Sequence, residues 1–332
     1  MFCTIRFVAT QTITNTLNGT SFQPDFVWVK KRSGIDNHEL TNSIVGNNLR
    51  LASNATDAQS AGGISIASNG FALSGSPVYG TDNENGFTYV GWQWKANGTG
   101  VSNTSGSITS TVSAGTTQGF SVVTYTGTGA NATVGHGLGV APSMIIVKER
   151  NAVSSWIIAL DSSGFTWSSD YYQFDTGAKY TNAAGTIFRQ APTSTVFSVG
   201  TNSNVNSNTN TYVAYCFAAV AGYSAFGSYT GNGSADGPFV YLGFRPRFLL
   251  IKRTDAIANW RIHDTSRDPG NVTSNSLYPN LLNAETSAAS EYWDMLSNGF
   301  KLRTSDAESN ASAGTYIYAA FAENPFKYSL AR

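Results

Sequence analysis

"FRPRFLLIKRTD", Phe244 to Asp255, is a proline followed by a short apolar run that ends in lysine. Nearly the same phrase stands at Phe22 to Ser33 ("FQPDFVWVKKRS") and at Val140 to Asn151 ("VAPSMIIVKERN"). With Pro24, Pro142 and Pro246 as origins, other landmarks fall into step. Phe7, Tyr125 and Tyr229 lie seventeen residues upstream; Lys30, Lys148 and Lys252 lie six downstream. His38, Trp156 and Trp260 come eight residues after the lysines. Each copy closes on an aromatic run, "TYVGWQWKA", "TYVAYCFAA" or "TYIYAAFAE", whose tyrosine stands 65, 70 and 70 residues beyond the proline. A fixed internal period is the signature of a repeat architecture, here three tandem modules of about 100 residues.

The modules occupy residues 1–97, 119–222 and 223–332. Residues 98–118 between the first two are rich in Gly, Ser, Thr and Asn, the composition of a flexible linker, although "SITSTV" alternates enough for a short strand. The second and third modules join with almost no spacer, which predicts closer packing between them than between the first two. The runs "FVWVK", "MIIVK" and "FLLIK" are too short for helices and carry β-branched and aromatic residues, so they read as strands. Many short strands with polar turns predict an all-β chain, one jelly-roll-like β-sandwich per module. The stretch "NSLYPNLLNAETSAASEYWDML" is the one candidate helix, and its proline argues for a broken one.

Twenty basic residues balance twenty acidic ones, which leaves no footprint for nucleic acid. No apolar run approaches the length of a membrane helix, so membrane insertion is not expected. The opening "MFCTIRFVAT" lacks the apolar core of a signal peptide. Cys3 and Cys216 have neither metal nor disulfide spacing and read as two buried thiols.

The three lysines have charged and varied neighbours, which reads as a strand leaving the core for water with the aliphatic stem over the sheet edge. "YTGTG" and "YTGNG" lack the Gly-Lys-Ser/Thr of a phosphate loop and read as turn glycines. His263, Asp264, Arg267 and Asp268 form the densest polar cluster, read as a salt-bridged loop. No catalytic group, metal site or cofactor is implied. Trp and Tyr beside Asp, Asn and Gln suit sugar binding, where a ring face packs on a pyranose. That chemistry nominates Trp167, Tyr171 and Tyr172 in module two, with His263, Asp264, Tyr292 and Trp293 in module three. Ordinary core packing or a subunit interface is the competing reading of the same rings.

The phrases "GFSVVTYTGTGANATVGHGLGVAPSMIIVKERN", "FQPDFVWVKKRS" and "YVGWQWKANGTGVSNTSGSITSTVSA" resemble a tandem module of tail-fibre and other virion proteins of tailed phages, notably marine ones. The resemblance runs from about Phe7 to Phe326, and module one departs from it at "FVATQ". It implies a structural, non-enzymatic virion protein, a tail fibre or surface appendage made in the host cytoplasm. The expected partners are other virion proteins, a host-surface glycan and further copies of the chain, with a trimer favoured. Module one would anchor and module three would be distal and receptor-facing. A capsid-surface decoration protein and a polysaccharide depolymerase are the alternatives.

Overall fold

The structure, a computed structural model, describes residues 2–8, 12–16, 20–73, 83–182 and 184–324. Its regular structure is almost entirely antiparallel β. Among the described residues the helices are single turns, Ser203–Asn206, Ala289–Glu291 and Ala307–Asn310. The stretch nominated as a helix instead holds the short strands Asn275–Ser276, Thr286–Ser287 and Trp293–Leu296, as its proline and its β-favouring rings dictate.

The proline phrase forms an inner strand in every module: Phe26–Lys31, Met144–Glu149 and Pro246–Arg253. On one side it pairs with the closing aromatic strand, Thr88–Trp94, Thr211–Phe217 or Thr315–Ala322. On the other it pairs with His38–Asn42, Ile157–Leu160 or Arg261–Asp264. Phe2–Val8, Phe120–Thr126 and Ser224–Thr230 pair with the far side of the closing strand. The segment read as a linker is ordered: Val101–Asn103 and Ser110–Gly115 extend the second sheet to six strands. The serines and threonines that suggested flexibility stand in an alternating pattern, and alternation is what a half-covered strand needs.

Each main sheet is covered on both faces, which explains the unbroken apolar runs. Successive side chains point to opposite faces, so Phe26 and Trp28 enter one core while Val27 and Val29 enter another. The outer face packs on the module's own small sheet. In module one that sheet is Thr12–Thr14, Gly70–Leu73 and Ile64–Ala67; in module two it is Ala132–Gly135 and Val196–Val199. In module three it is Phe239–Tyr241, Gly299–Leu302 and Trp293–Leu296. The repeated "SNGF" phrase marks the middle strand of two of these sheets. The landmark tyrosines belong to this outer layer. Phe7 stacks on Tyr89, Tyr125 on Tyr212 and Tyr229 on Tyr316, with ring centroids 5.4, 5.1 and 4.9 Å apart.

The Tyr-Thr-Gly openings are explained by the same layer. Tyr125 Oη donates to the Val205 carbonyl at 2.7 Å and Tyr229 Oη to the Ser309 carbonyl at 2.9 Å. A Cβ on Gly127 or Gly231 would lie 2.2 or 2.3 Å from the carbonyl oxygen of Ser207 or Ala311, so only glycine lets the chains approach. In module one, residues 9–11 of "FVATQ" lie outside the described residues.

The inner faces of all three main sheets share one core. Trp94, Phe217 and Phe321 occupy the same position in the three closing strands and meet in a triangle, with centroids 6.2, 5.6 and 5.7 Å apart. All three contacts are edge-to-face, the arrangement that ring quadrupoles prefer. The modules therefore lie side by side around a pseudo-threefold axis. The expectation of a tighter pair formed by modules two and three is corrected: all three modules share the same core.

Hydrogen bonds repeat the threefold at the opposite end. The amides of Asp36, Ser154 and Ala258 donate to the carbonyls of Leu282, Thr56 and Thr176 at 2.9, 2.8 and 2.9 Å. The amides of Glu285, Gln59 and Lys179 answer to the carbonyls of Arg32, Arg150 and Thr254 at 2.8, 2.7 and 2.8 Å. His38 Nε2 lies 2.9 Å from the Tyr278 carbonyl, while the Trp156 and Trp260 indoles donate to the Ala52 and Gln173 carbonyls at 2.8 and 2.7 Å. Each set joins module one to three, two to one and three to two, which closes a ring.

The repeated lysines complete this seam, and their predicted emergence into water is corrected. Lys30, Lys148 and Lys252 are buried. Their ammonium groups donate to the carbonyls of Leu282, Thr56 and Thr176 in the neighbouring module at 3.1, 3.2 and 3.3 Å. Lys148 and Lys252 also reach the carbonyls of Glu149 and Ala258 at 2.8 and 2.6 Å. A strand end that looks solvated within one module is covered by the next. Burial pulls all three lysines down to about 8, against the opposing pull of Asp36, Asp57, Glu149 and Asp175.

Two outcomes are expected. Because the triangle belongs to all three sheets, the chain unfolds in one calorimetric transition, and Trp94→Ala lowers stability by about 3–5 kcal/mol for the whole molecule. Separate transitions for single modules would contradict a shared core. The lysines have a lower pKa folded than unfolded, so the unfolded chain holds more protons above pH 8 and stability rises with pH from there. Burial holds Cys3 and Cys216 above their ordinary value of 9, so thiol ionisation in the unfolded chain opposes the rise from about pH 9. In denaturant titrations between pH 7.5 and 9, Lys148→Met should remove about a third of the slope. A flat wild-type profile would show that the burial of these cations carries no cost.

Candidate functional site

The seven residues nominated for sugar binding do not converge, and most are buried. Trp167 packs against Phe165 and Phe188 at 5.4 and 6.2 Å, with its indole 3.3 Å from Asp161 Oδ1. Tyr172 is buried in the shared core between Phe165 and Trp260. Tyr171 is half-buried and stacked on Tyr180 at 5.3 Å. Trp167 and Tyr172 are therefore core side chains, while Tyr171 lies at the edge of the core. Tyr171 and Tyr172 are neighbours in extended chain and so point to opposite faces, while Trp167 is buried from a turn.

In module three, His263 lies against Trp293 at 4.9 Å and 3.1 Å from Ser276 Oγ, all of it buried. Burial, with Arg261 and Arg267 nearby, drives the imidazole far below its ordinary pKa, so it is neutral at physiological pH. Asp264 accepts from Arg267 Nε, from the Arg267 amide at 2.8 Å and from the Trp92 indole at 3.1 Å. Arg267 continues to Glu285 at 2.6 Å, and Glu285 accepts from Arg32 at 2.7 and 3.0 Å. Burial alone would raise the Glu285 carboxyl; Arg32 and Arg267 outweigh it and hold the group below its ordinary value. The cluster read as a salt-bridged loop is thus an ion-pair chain across the seam of modules one and three. Glu291 is buried too and accepts from the Tyr278 hydroxyl and from Thr286 Oγ1.

Tyr292 is different, because it belongs to an open face. On the outer sheet of module three, Val240, Phe300, Leu302, Trp293 and Met295 point into the core. Their alternates point out. Register sets Phe239 opposite Lys301, which in turn faces Asp294; Tyr241 stands opposite Gly299. Tyr292 and Arg303 extend the same face, joined through the Arg303 amide and the Tyr292 carbonyl at 2.8 Å. Phe239, Tyr241 and Tyr292 are 45%, 68% and 39% exposed, too much ring area on one sheet for core duty. Between the rings runs an ion-paired strip: Lys301 to Asp236 at 2.6 Å and Arg303 to Asp294 at 3.3 Å. Rings flanking paired polar groups offer both an apolar surface and directional hydrogen bonds.

Phe239 and Tyr241 escaped the sequence reading, although "PFVYL" carries a usable signal. An aromatic–aliphatic–aromatic alternation puts both rings opposite the valine, and the valine takes the core. Concavities also lie between the modules. One of about 500 Å³ lies between modules two and three, where Lys179 is already tied to Asp170 and to the Gly164 carbonyl at 2.7 Å each. Another, of about 570 Å³, is lined by loops of all three modules at the lysine end of the axis. Among the described residues no cluster of His, Cys, Asp and Glu is arranged to hold a metal ion.

No curated protein and no solved structure matches this chain. A protein-family model described as "Domain of unknown function (DUF7483)" matches residues 1–325, so one family domain spans all three modules. The chain belongs to the DUF7483 family.

Proposed function

We propose that the chain is a structural component of a tailed-phage particle, a tail fibre or surface appendage, and that it contributes to attachment to a host-surface glycan. The particle assignment rests on the resemblance of the repeated phrases to virion modules. The observation that supports attachment is the open aromatic face of module three. Phe239, Tyr241 and Tyr292 present rings to water around the Lys301, Arg303, Asp236 and Asp294 ion pairs. A pyranose ring stacks on such side chains through its C–H face, and the flanking charges take its hydroxyls. The glycan reading therefore keeps Tyr292 from the original set and adds Phe239 and Tyr241. Because one chain already closes a threefold ring, a single chain here takes the place that a trimer of separate chains would fill.

The test is binding of the purified chain to host surface polysaccharide, with Tyr241→Ala and Tyr292→Ala variants. Each ring contributes about 0.5–1.5 kcal/mol, so the double variant should bind about 5- to 150-fold more weakly. Its unfolding temperature should stay within a degree or two of wild type, since both side chains lie outside the core. Undiminished binding by the double variant would remove this face from the proposal. Antibody labelling of purified particles tests the virion assignment by itself.

A further inference from the structure

The end of the molecule that carries the lysine seam has a feature that the fold does not require. Five residues after each seam lysine stands an aliphatic, β-branched side chain: Ile35, Val153 and Ile257. All three are between 72% and 78% exposed. The next residue in each loop donates its amide to the neighbouring module, at Leu282, Thr56 and Thr176. These bonds fix the three tips at equivalent places around the pseudo-threefold axis. Thr56, Thr176 and Leu281, the neighbour of Leu282, line the axial cavity, so the tips surround its mouth.

Common descent of the modules does not account for the tips. The position after each tip has drifted, as Asp36, Ser154 and Ala258, while the one before stays small, as Gly34, Ala152 and Ala256. A position three-quarters exposed gains nothing in folding from an aliphatic side chain. Its retention in three copies, while the residue after it changed, points to something outside the chain. The nearby charges are compensated within the chain, Asp36 by Lys31 at 3.4 Å and Asp255 by Arg253 at 2.9 Å. The tips are therefore apolar points around a polar central cavity that Asp57 and Asp175 help to line.

From this geometry we infer that the tip-ringed end docks coaxially on the threefold end of a homotrimeric protein. Such a partner offers the same apolar socket three times at the spacing of the tips, and its axis falls on the cavity. Three weak contacts made at once give an avidity that one contact cannot. A partner without threefold symmetry would engage one tip and leave two in water. A lipid surface would favour free basic and aromatic flanks, and the basic residues nearest these tips, Arg32, Arg150 and Arg253, are already held by Glu285, Gln59 and Asp255. The inference rests on the virion reading only in expecting the partner to be another particle component. It leaves the aromatic face of module three free.

The test places a photoreactive benzophenone side chain at position 35, 153 or 257, one position at a time, in the full-length chain. Cells that naturally make the protein are irradiated and the adducts are identified by mass spectrometry. Threefold docking requires that three different positions of this chain cross-link to one and the same peptide of a second protein. Adducts to three unrelated peptides, to this chain itself, to lipid, or none at any position would each overturn it. As a second measurement, the variant Ile35→Ser/Val153→Ser/Ile257→Ser should keep the wild-type unfolding temperature. It should also recover at least tenfold less of the cross-linked protein on affinity purification; full recovery would overturn the inference as well. Absence of the chain from purified particles would sink the virion reading while the pattern of adducts still decided the docking.

Discussion

Trp94, Phe217 and Phe321 touch one another edge-to-face where three sheets converge, and the rest of the molecule follows from that contact. A four-stranded sheet with an apolar face has to cover it. Here every module covers one face with its own small sheet and leaves the other to its two neighbours. The shared core is consequently larger than any single module could build, and it includes four tryptophans beyond the triangle, Trp28, Trp92, Trp156 and Trp260. Once the sheets meet there, their strands bring the lysine ends together on the far side. The seam carbonyls then become the natural partners of cations that no water can reach.

The seam explains how a lysine becomes a structural element. An ammonium group taken out of water loses hydration worth far more than one hydrogen bond returns. Lys148 and Lys252 each recover two carbonyl oxygens, one within the module and one across the boundary. The bond across the boundary exists only when the neighbouring module is in place. Cation burial therefore ties the integrity of each module to the next, as the Arg32–Glu285–Arg267–Asp264 chain does between modules one and three.

The repeat, the all-β class and the inner strands were legible because they are local properties: a phrase, an offset, a run of β-formers. The ring was not. Nothing in "FVWVK" says whether the lysine after it meets water or a carbonyl of a module hundreds of residues away. That depends on which surfaces meet, and composition does not encode it. The same blindness decided the aromatic residues. Trp167, Tyr172 and Trp293 sit beside polar residues in sequence, as a binding ring would, yet Trp167 and Trp293 are buried in their own modules' outer cores and Tyr172 in the shared one. Tyr241 sits in an unremarkable strand and is the most open large ring among the described residues. Serine- and threonine-rich residues 98–118 misled for a related reason, since their alternation weighed less than their composition in the reading.

The residues lining the axis end carry one asymmetry. Two positions before each seam acceptor of modules one and two stand Asn54 and Phe174, and Asn280 holds the equivalent place in module three. Asn54 and Asn280 turn back to accept from the amides of His38 and Trp260 in their own modules, at 2.8 and 3.0 Å. Phe174 instead points inward and touches Trp28, Trp156 and Trp260, one ring from each module, at 5.8, 5.8 and 5.3 Å. In a trimer of identical chains this solution is forbidden: a side chain that reached the axis would collide with two copies of itself. Fusing three copies into one polypeptide lifts that prohibition. Two positions can retreat while one fills the centre, and the molecule acquires a single, unduplicated plug that no symmetric assembly of its modules could have had.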